Sequence, residues 1–590
     1  MNHHRPLFLG LAVVASALFA ATARPQVSPP RLNPAPPLNP APLSNPAPPP
    51  VNPALQPLTE RELLRLIAAD LDKAKAEDRP NLRYFFVAPV LKAILDLDAA
   101  QDSLSMSINS LSWAKTTVRV IPVGGSAGRV FRMNLSDYQR FDGSLWDAAL
   151  WKQILDRYPY GIIHQTDSAA QTIATQTKCK IAYIRADWFA YAATRPPLYH
   201  DLLGLPETVA TLERRLGVDV EANIDAGIAS RAGFNRSSAE TDPVSGHNRL
   251  IERHSLPATD GDYYWKSYDF ADNSPARGKD LFSSPLGPVG VSKSVGHFRH
   301  DGMEIIFSLP NRLQGYMIAN GHGDRLDQAP VTIVRDNLSY PPLSPSVTNG
   351  FSCIRCHGAG LNPTRWDKPQ KRFLSLVENQ VRTHVENNQN AFPADLEKIL
   401  KLYKEDTKLR NEMEKDITRF TEAFMKGAPK SAAKHFSVYY DPLGWALEYD
   451  LDLTRAAAEI GLESREFQKN LQQSPEIARR LGFLMVGEKV KDPSVNHLVL
   501  RGGTVKRQVF EETFPTMVRA WGYAGYPPTE VAPAHEAPDS GEGTQDKPVI
   551  RPSSTYGLKV VLGAAFGGLV FGFLVGVRVG RVRSPMPVNS

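Results

Sequence analysis

The spacing of apolar residues predicts a helix near the start of the folded part of the chain. In TERELLRLIAADLDKA, Leu64, Ile67 and Leu71 recur at intervals of three and four, which aligns them along one face of a helix. Thr59 precedes this stripe and Glu62 follows Thr59 by three residues, which is the pattern of a capping box. We therefore expect an amphipathic helix that begins after Thr59.

Shorter apolar runs predict β-strands in the first half of the chain. TTVRVIPVGGSAGRVFRMNL predicts two strands joined by a glycine-rich turn. A phosphate-binding loop is the weaker interpretation of these glycines, because the lysine and helix of such a loop do not follow them. Three later runs predict further strands near Met303–Leu309, Leu313–Ala319 and Val331–Arg335, with a turn at Gly321–Asp324.

Apolar residues at helical spacing dominate the second half. They predict helices over Lys371–Asn387, Ala394–Tyr403 and Leu409–Met425, and LTRAAAEIGLESREFQKNLQQ, which begins at Leu453, predicts a helical hairpin. The predicted class is α+β: a mixed N-terminal domain with antiparallel strands, then a mainly helical region and a helical C-terminal domain.

Both ends of the chain carry signals for export and membrane insertion. Residues 1–23 combine the basic Arg5, an apolar core and a small-x-small cleavage site, which predicts a secretory signal peptide. Val560–Val577 is 18 residues long without a charge, and three arginines follow it. Because positive residues stay on the cytoplasmic side, we expect a membrane-spanning helix over 557–577, a cytoplasmic tail over 578–590 and a body that faces the periplasm.

Two polar segments separate the body from these ends. The first holds fourteen prolines within residues 25–57, a composition that favours an extended spacer. The predicted division is a signal peptide 1–23, a proline-rich linker 24–58, an α+β domain 59–345, a mainly helical region 346–430, a helical domain 431–525, a linker 526–556, the membrane helix and the tail.

Charge and glycine spacing bear on the partners of the chain. A net charge of +6 over 590 residues is too small for a nucleic-acid footprint, so we expect no nucleic-acid partner. Gly568, Gly572, Gly576 and Gly580 repeat every four residues, as in close-packed membrane helices that dimerise. The alternative is that glycine is simply frequent in membrane helices.

The stretch SCIRCHG carries the chemistry. It holds two of the three cysteines, Cys353 and Cys356, with His357 directly after the second. Residues three apart share a helical face, so both thiols can reach the vinyl groups on one edge of a haem while the histidine reaches the iron. C-x-x-C-H is the attachment sequence of a c-type haem.

Two other uses of this spacing are weaker. A structural zinc site needs four ligands, and the nearest further candidates, His322, His384 and Cys179, form no second pair in the sequence. A thioredoxin-like dithiol would follow a buried strand, whereas the residues before Cys353 are typical of a loop.

The segment SCIRCHGAGLNP resembles the haem-attachment segment of bacterial monohaem c-type cytochromes. The flanks, for example EIIFSLPNRLQGYM, resemble those of large secreted bacterial proteins with one such motif. The resemblance implies thioether bonds from Cys353 and Cys356, His357 as the proximal iron ligand, and a backbone carbonyl at Pro363 that orients the imidazole.

The resemblance leaves the sixth iron ligand open. Met413 and His300 are the leading candidates. Met413 also fits the apolar stripe of a predicted helix, where a methionine is more often part of the core. The remaining choices are an open position or one of His297, Met303, Met317 and Met425.

We expect a membrane-anchored periplasmic protein that carries one covalent haem c and passes single electrons to a partner protein. Arg355, Arg365 and Lys368 lie near enough in sequence to pair with the haem propionates. The alternatives are a haem enzyme or gas sensor with an open iron position, and a scaffold in which the haem is mainly structural.

Overall fold

The structure is a computed structural model, and all structural statements below concern the residues that it describes. These are residues 58–87, 97–234, 248–257, 261–272, 280–288, 298–331, 333–334, 345–358, 360–361, 379–429, 441–444, 447–486, 497–500, 503–524, 526 and 530–531. All of them belong to the compact unit Pro53–Ser590.

Helices and strands alternate in the first half of the described chain, and helices prevail in the second. The helices are α1 Glu60–Lys73, α2 Leu97–Asn109, α3 Ala148–Leu155, α4 Ser168–Thr177, α5 Ala186–Ala193, α6 Leu198–Leu203, α7 Val209–Leu216, α8 Val220–Asp225, α9 Phe351–Cys356, α10 Gln380–Asn387, α11 Leu396–Leu402, α12 Asp406–Gly427, α13 Asp441–Gly444, α14 Leu453–Glu459, α15 Ser464–Gln473, α16 Pro475–Arg480 and α17 Arg507–Trp521. The strands are β1 Leu82–Phe86, β2 Ile121–Pro122, β3 Val130–Asn134, β4 Ile162–Ile163, β5 Ile184–Arg185, β6 Ser230–Phe234, β7 Arg249–Ser255, β8 Tyr263–Asp269, β9 Gly302–Ser308, β10 Gln314–Asn320, β11 Phe483–Val486, β12 His497–Leu500 and β13 Glu530–Val531.

The capping box at the start of α1 is confirmed. The Thr59 hydroxyl accepts a hydrogen bond from the backbone N–H of Glu62, and the Glu62 carboxylate accepts one from the backbone N–H of Thr59 at 2.8 Å. The apolar stripe of α1 is buried in one cluster with Leu82, Tyr84 and Phe86 of β1. Local sequence thus sets where the helix begins, and burial of its stripe docks it on the first sheet.

Two larger sheets organise the described chain. The first has the order β2-β3-β1-β5, with β1 and β5 parallel and the other neighbours antiparallel. Its β2–β3 hairpin is the predicted one, and Gly125 and Gly128 in the turn have φ of +79° and +73°, which glycine adopts without strain. The second is an antiparallel meander of five strands in the order β10-β9-β8-β7-β6. The α+β class is therefore confirmed.

The five-stranded sheet has two faces that matter for the site. Cross-strand partners share a face, so the register puts Arg253, Trp265, Ile306 and Tyr316 in one row on what we call face A. The adjacent row of His254, Tyr264, Phe307 and Gly315 lies on the opposite side, face B. Side chains alternate along each strand, so every other position can be assigned in the same way.

The C-terminal range is not purely helical. The helical hairpin from Leu453 is confirmed as α14 and α15, separated by Gly461 with φ of +73°. An antiparallel pair, β11 and β12, also lies in this range, and the sequence analysis did not predict it. The largest cluster of buried apolar side chains includes Phe189, Phe351 and Phe510, one from each predicted folded range. The domain boundaries themselves stay a prediction.

One strand prediction is wrong among the described residues. Val331, Ile333 and Val334 form a turn instead of a strand, because the backbone N–H groups of Ile333 and Val334 both donate to the carbonyl of Pro330. The strands near Met303 and Leu313 are confirmed as β9 and β10. No described helix is long and apolar enough to cross a membrane, and the predicted segment 557–577 lies outside the described residues.

Candidate functional site

The C-x-x-C-H motif lies on α9 and the residue that follows it. Cys353 is partly buried, Cys356 is exposed, and the backbone N–H of His357 still donates to the Cys353 carbonyl at 2.8 Å. Cys353 packs against a cluster that includes Ile318, a face A residue of β10. Burial, and after it the Glu304 carboxylate, raise the pKa of the Cys353 thiol. One thiol thus lies toward the sheet and the other toward solvent.

The start of α9 is tightly fixed by α5, α6 and the segment between them. Gly350 has φ of +80°, and a Cβ there would lie 2.6 Å from the carbonyl oxygen of Thr194 and 2.8 Å from the Tyr199 ring. The Arg195 guanidinium lies 3.6 Å from the centroid of the Phe351 ring, a distance typical of a cation–π contact. Only glycine fits at position 350, so the approach of α9 to these helices depends on it.

A buried histidine holds the residue just before this glycine. The Asn349 side-chain amide donates to Nε2 of His200 at 2.9 Å, which requires an unprotonated Nε2. Burial, and next the charge of Arg325, lower the pKa of His200 from 6.5 to about 3. The Asp327 carboxylate lies 3.6 Å from Nδ1, but it is mostly exposed and solvent screens its charge. His200 is therefore a neutral acceptor at neutral pH.

The His357 imidazole has a defined tautomer. Its Nδ1 lies 3.3 Å from the carbonyl oxygen of Gly360, and since a carbonyl can only accept, Nδ1 carries the proton. In the neutral imidazole the lone pair is then on Nε2. The ring also packs at 29° against Tyr316 of β10, with 6.1 Å between centroids.

The carbonyl that holds His357 belongs to a loop pressed against α12. Gly360 has φ of +89°, and a Cβ there would lie 3.2 Å from Cδ1 of Phe420 and 3.7 Å from the Cα of Ile417. A larger residue would be strained and would push the loop away from the helix. Pro363, which the resemblance suggested for this role, lies outside the described residues.

Helix α12 covers face A through a buried ion pair. Asp416 accepts two hydrogen bonds from Arg253, at 2.8 and 2.9 Å, and a third from the indole N–H of Trp265 at 2.8 Å. The pKa of Asp416 lies above its usual value, because burial raises it by more than these hydrogen bonds and the positive charge of Arg253 lower it. Leu409, two turns earlier on the same face of α12, is buried against Tyr263 and Trp265. The helix and the motif loop therefore share one face of the sheet.

The two leading candidates for the sixth ligand lie on opposite faces. Met413 of α12 is partly buried and packs against the same face A cluster as Leu361, one residue after Gly360. The His300 ring packs edge-on against Tyr268, a face B residue, with 5.0 Å between centroids. The arrangement brings Met413 to the side of the sheet that carries His357, and it does not bring His300 there.

Among the described residues, the other candidate methionines do not lie on face A. Met303 and Met317 are buried on face B, and Met425 is 53% exposed at the end of α12. Arg355 is buried beside the Phe351 ring. His297, Arg365 and Lys368 lie outside the described residues.

Sequence reasoning missed Tyr316 and Gly360 as parts of this site. Gly360 carried a signal, since glycines near a ligand motif often permit close backbone approach. Tyr316 carried none, because its role depends on strand register. Within the described ranges, no group of three or more His, Cys, Asp or Glu side chains is arranged to hold a metal ion. The chain matches no protein-family model, no curated protein and no solved structure.

Proposed function

We propose that the chain is a membrane-anchored periplasmic c-type cytochrome with one covalently bound haem that transfers single electrons. The observation that supports the proposal is the hydrogen bond from His357 Nδ1–H to the Gly360 carbonyl, because a bond of this kind orients a histidine that binds metal through its other ring nitrogen. His357 is the residue directly after α9, and α9 carries Cys353 and Cys356 at the haem-attachment spacing.

The residues of the motif fit a haem c. Cys353 and Cys356 would hold the porphyrin through thioether bonds, His357 would be the proximal ligand and Met413 the sixth ligand. The partial burial of Cys353 and the exposure of Cys356 suit a haem that has one side in the protein and one edge near solvent. When bound, the haem supplies reversible one-electron chemistry at its iron.

The chain's own residues would set the conditions for that chemistry. The Gly360 carbonyl raises the basicity of His357 and fixes its tautomer. Trp265, Leu361 and Met413 supply apolar surface on face A that excludes water, and exclusion of water limits reorganisation and influences the potential. A strong sixth ligand would keep the iron six-coordinate in both oxidation states.

The location in this proposal rests on the sequence alone. The signal peptide, the proline-rich spacer and the predicted membrane helix lie outside the described residues. Their order would tether the body on the periplasmic side of the inner membrane, where long spacers let it reach a redox partner protein. The glycine repeat of the membrane segment would allow a helix-mediated dimer.

The optical spectrum of the ferrous protein tests this function. The chain is expressed with a cytochrome c maturation system, reduced, and recorded with and without carbon monoxide. We expect a six-coordinate spectrum that carbon monoxide does not change, because a relay needs no open iron position. A five-coordinate ferrous haem that binds carbon monoxide rapidly would contradict electron transfer and favour an enzyme or a sensor.

A further inference from the structure

Tyr316 lies beside His357 and is itself held rigidly. Its side chain is 1% exposed on face A of β10, an edge strand of the five-stranded sheet. The hydroxyl of Tyr199 accepts a hydrogen bond from the Tyr316 backbone N–H at 2.9 Å and donates to its carbonyl at 3.2 Å. Tyr199 of α6 thus hydrogen-bonds the edge of the sheet at Tyr316, and the same tyrosine also lies against Gly350.

The ring of Tyr316 is fixed at its far end as well. Its hydroxyl donates to Oε1 of Gln314 at 2.8 Å, and Nε2 of Gln314 donates to the hydroxyl of Tyr263 at 2.8 Å. All three side chains are buried on face A, so each hydrogen bond is costly to break. The ring therefore presents a flat surface of fixed orientation to the imidazole.

Rotation of the His357 side chain about its Cβ–Cγ bond sets the plane of the imidazole. The hydrogen bond from Nδ1 to the Gly360 carbonyl limits this rotation, but at 3.3 Å it is a long bond. The Tyr316 ring lies at 29° to the imidazole, with 6.1 Å between centroids, and limits rotation toward the sheet. Both contacts therefore contribute to the orientation of the ring.

We propose that Tyr316 is a positioning residue that sets the plane of the His357 imidazole on the haem iron. The inference rests on the proposed function. It goes beyond it because it assigns a role to a tyrosine on the sheet, outside the attachment motif. The plane of an axial imidazole governs its π overlap with the iron d orbitals, and that overlap sets the anisotropy of the ferric low-spin signal in electron paramagnetic resonance.

The test compares ring-keeping and ring-removing variants of the full-length, haem-loaded chain. Tyr316→Phe keeps the flat ring and loses the hydroxyl, so we expect the wild-type g values. Tyr316→Met fills most of the volume with a flexible side chain, and Tyr316→Leu removes the ring with a different shape. For both we expect the largest g value to shift by more than the width of the wild-type line, and the line to broaden.

Phe307→Leu is the matched control, because it removes a buried ring from face B of the same sheet. It is expected to leave the g values unchanged, so a general loosening of the sheet would be recognised. Either of the two ring-removing variants suffices, provided it retains haem and the wild-type circular dichroism.

Wild-type g values in the ring-removing variant that loads, or a shift in Tyr316→Phe as large as in that variant, would overturn the assignment. A positioning role is also overturned if neither ring-removing variant loads haem while Phe307→Leu does, since Tyr316 would then be needed for folding or attachment. A wild-type chain that takes up no covalent haem would instead overturn the proposed function, so the two failures are distinguishable.

Discussion

If His357 binds iron as proposed, its neighbours in the loop and on the sheet would tune it as a ligand. A hydrogen bond from the far ring nitrogen to a carbonyl increases ligand basicity, and loss of such a partner typically weakens metal binding about 10- to 100-fold. Here the partner is a backbone carbonyl, which mutation cannot remove directly. Its position depends on Gly360, whose positive φ and close approach to Phe420 leave no room for a Cβ.

Met413 is the residue whose change separates the ligand hypotheses. We expect Met413→Ala to abolish the charge-transfer band of methionine-ligated ferric haem and to open the ferrous iron to carbon monoxide. The physical reason is that alanine has no donor atom at this point on face A. The measurement is the absorption spectrum of both oxidation states, with and without carbon monoxide.

Met425→Ala is the matched control on the same helix, because Met425 is 53% exposed and lies away from the motif. It should leave both spectra unchanged. If Met413→Ala also leaves them unchanged while His300→Ala opens the iron, the sixth ligand is His300 and the assignment to Met413 fails.

Only part of the site could be predicted at the scale of single residues. The C-x-x-C-H motif and its place on one helical turn were evident because a three-residue spacing acts within such a turn, whereas haem attachment at these residues stays a prediction. The carbonyl partner of His357 was expected at Pro363, but within the described residues it is the carbonyl of Gly360. The sequence does not indicate such a partner, because every residue has a backbone carbonyl. Strand register places Tyr316 on face A and the docking of α12 brings Met413 against the same face, and no local pattern encodes either.

At the scale of elements, one ion pair joins α12 to face A. Asp416 is buried, and its hydrogen bonds to Arg253 and Trp265 come from adjacent strands. The same helix packs against the loop that holds His357, at Ile417 and Phe420. Loss of this ion pair should therefore disturb both the sheet and the loop that holds His357.

We predict that Asp416→Asn destabilises the folded body by about 3 kcal/mol, because it leaves the partly buried Arg253 charge without its partner. The free energy of unfolding is measured by urea titration with circular dichroism. Glu405→Gln is the control, since it breaks an exposed pair with Lys408 at the start of the same helix. It should change stability by less than about 0.5 kcal/mol. Equal effects of the two changes would exclude the ion pair as the attachment of α12.

His200 predicts how stability depends on pH. Its pKa is about 3 in the folded state against 6.5 for an unperturbed histidine, so between these values the unfolded chain binds the extra proton. Stability must then fall as pH decreases from about 6.5 toward 3, by on the order of a few kcal/mol. We expect His200→Gln to lose less stability than the wild type between pH 7 and pH 4.

The comparison uses the urea midpoint at both pH values. His322→Gln is the control, because His322 is an exposed turn residue and should follow the wild type. A His200→Gln variant with the same pH slope as the wild type would show that His200 is protonated in the folded state and that burial does not lower its pKa.

Elements were predictable where local rules decide them. The capping box of α1, the glycine turn between β2 and β3, and the stripe of α12 all act within a few residues. The strand prediction for Val331–Arg335 was wrong because it rested on the apolar residues and ignored Pro330, whose carbonyl accepts the hydrogen bonds of the turn. The β11–β12 pair escaped notice because short apolar runs of four residues do not distinguish strand from helix.

At the scale of the whole molecule, the sequence predicts a folded body that is tethered to a membrane. The charge asymmetry after Val577 and the signal at residues 1–23 predict one span, with the body outside and the C-terminus inside. Between them lie spacers rich in proline and polar residues, which suit a tethered carrier that must reach partners.

Protease treatment of spheroplasts checks this topology. We expect the body to be digested while a tag at the C-terminus is protected, because the arginine-rich tail stays in the cytoplasm. A lysed sample, in which the tag is also digested, is the control. Protection of the body would reverse the orientation, and release of the intact protein by a salt wash would exclude the span.

The most direct test of the central claim is the mass of the denatured chain after expression with a cytochrome c maturation system. We predict a mass equal to the mature polypeptide plus one haem. The addition should vanish in the Cys353→Ser and Cys356→Ser double variant and persist in Cys179→Ser, since Cys179 is buried far from the motif in sequence. A wild-type chain of bare polypeptide mass would contradict the claim.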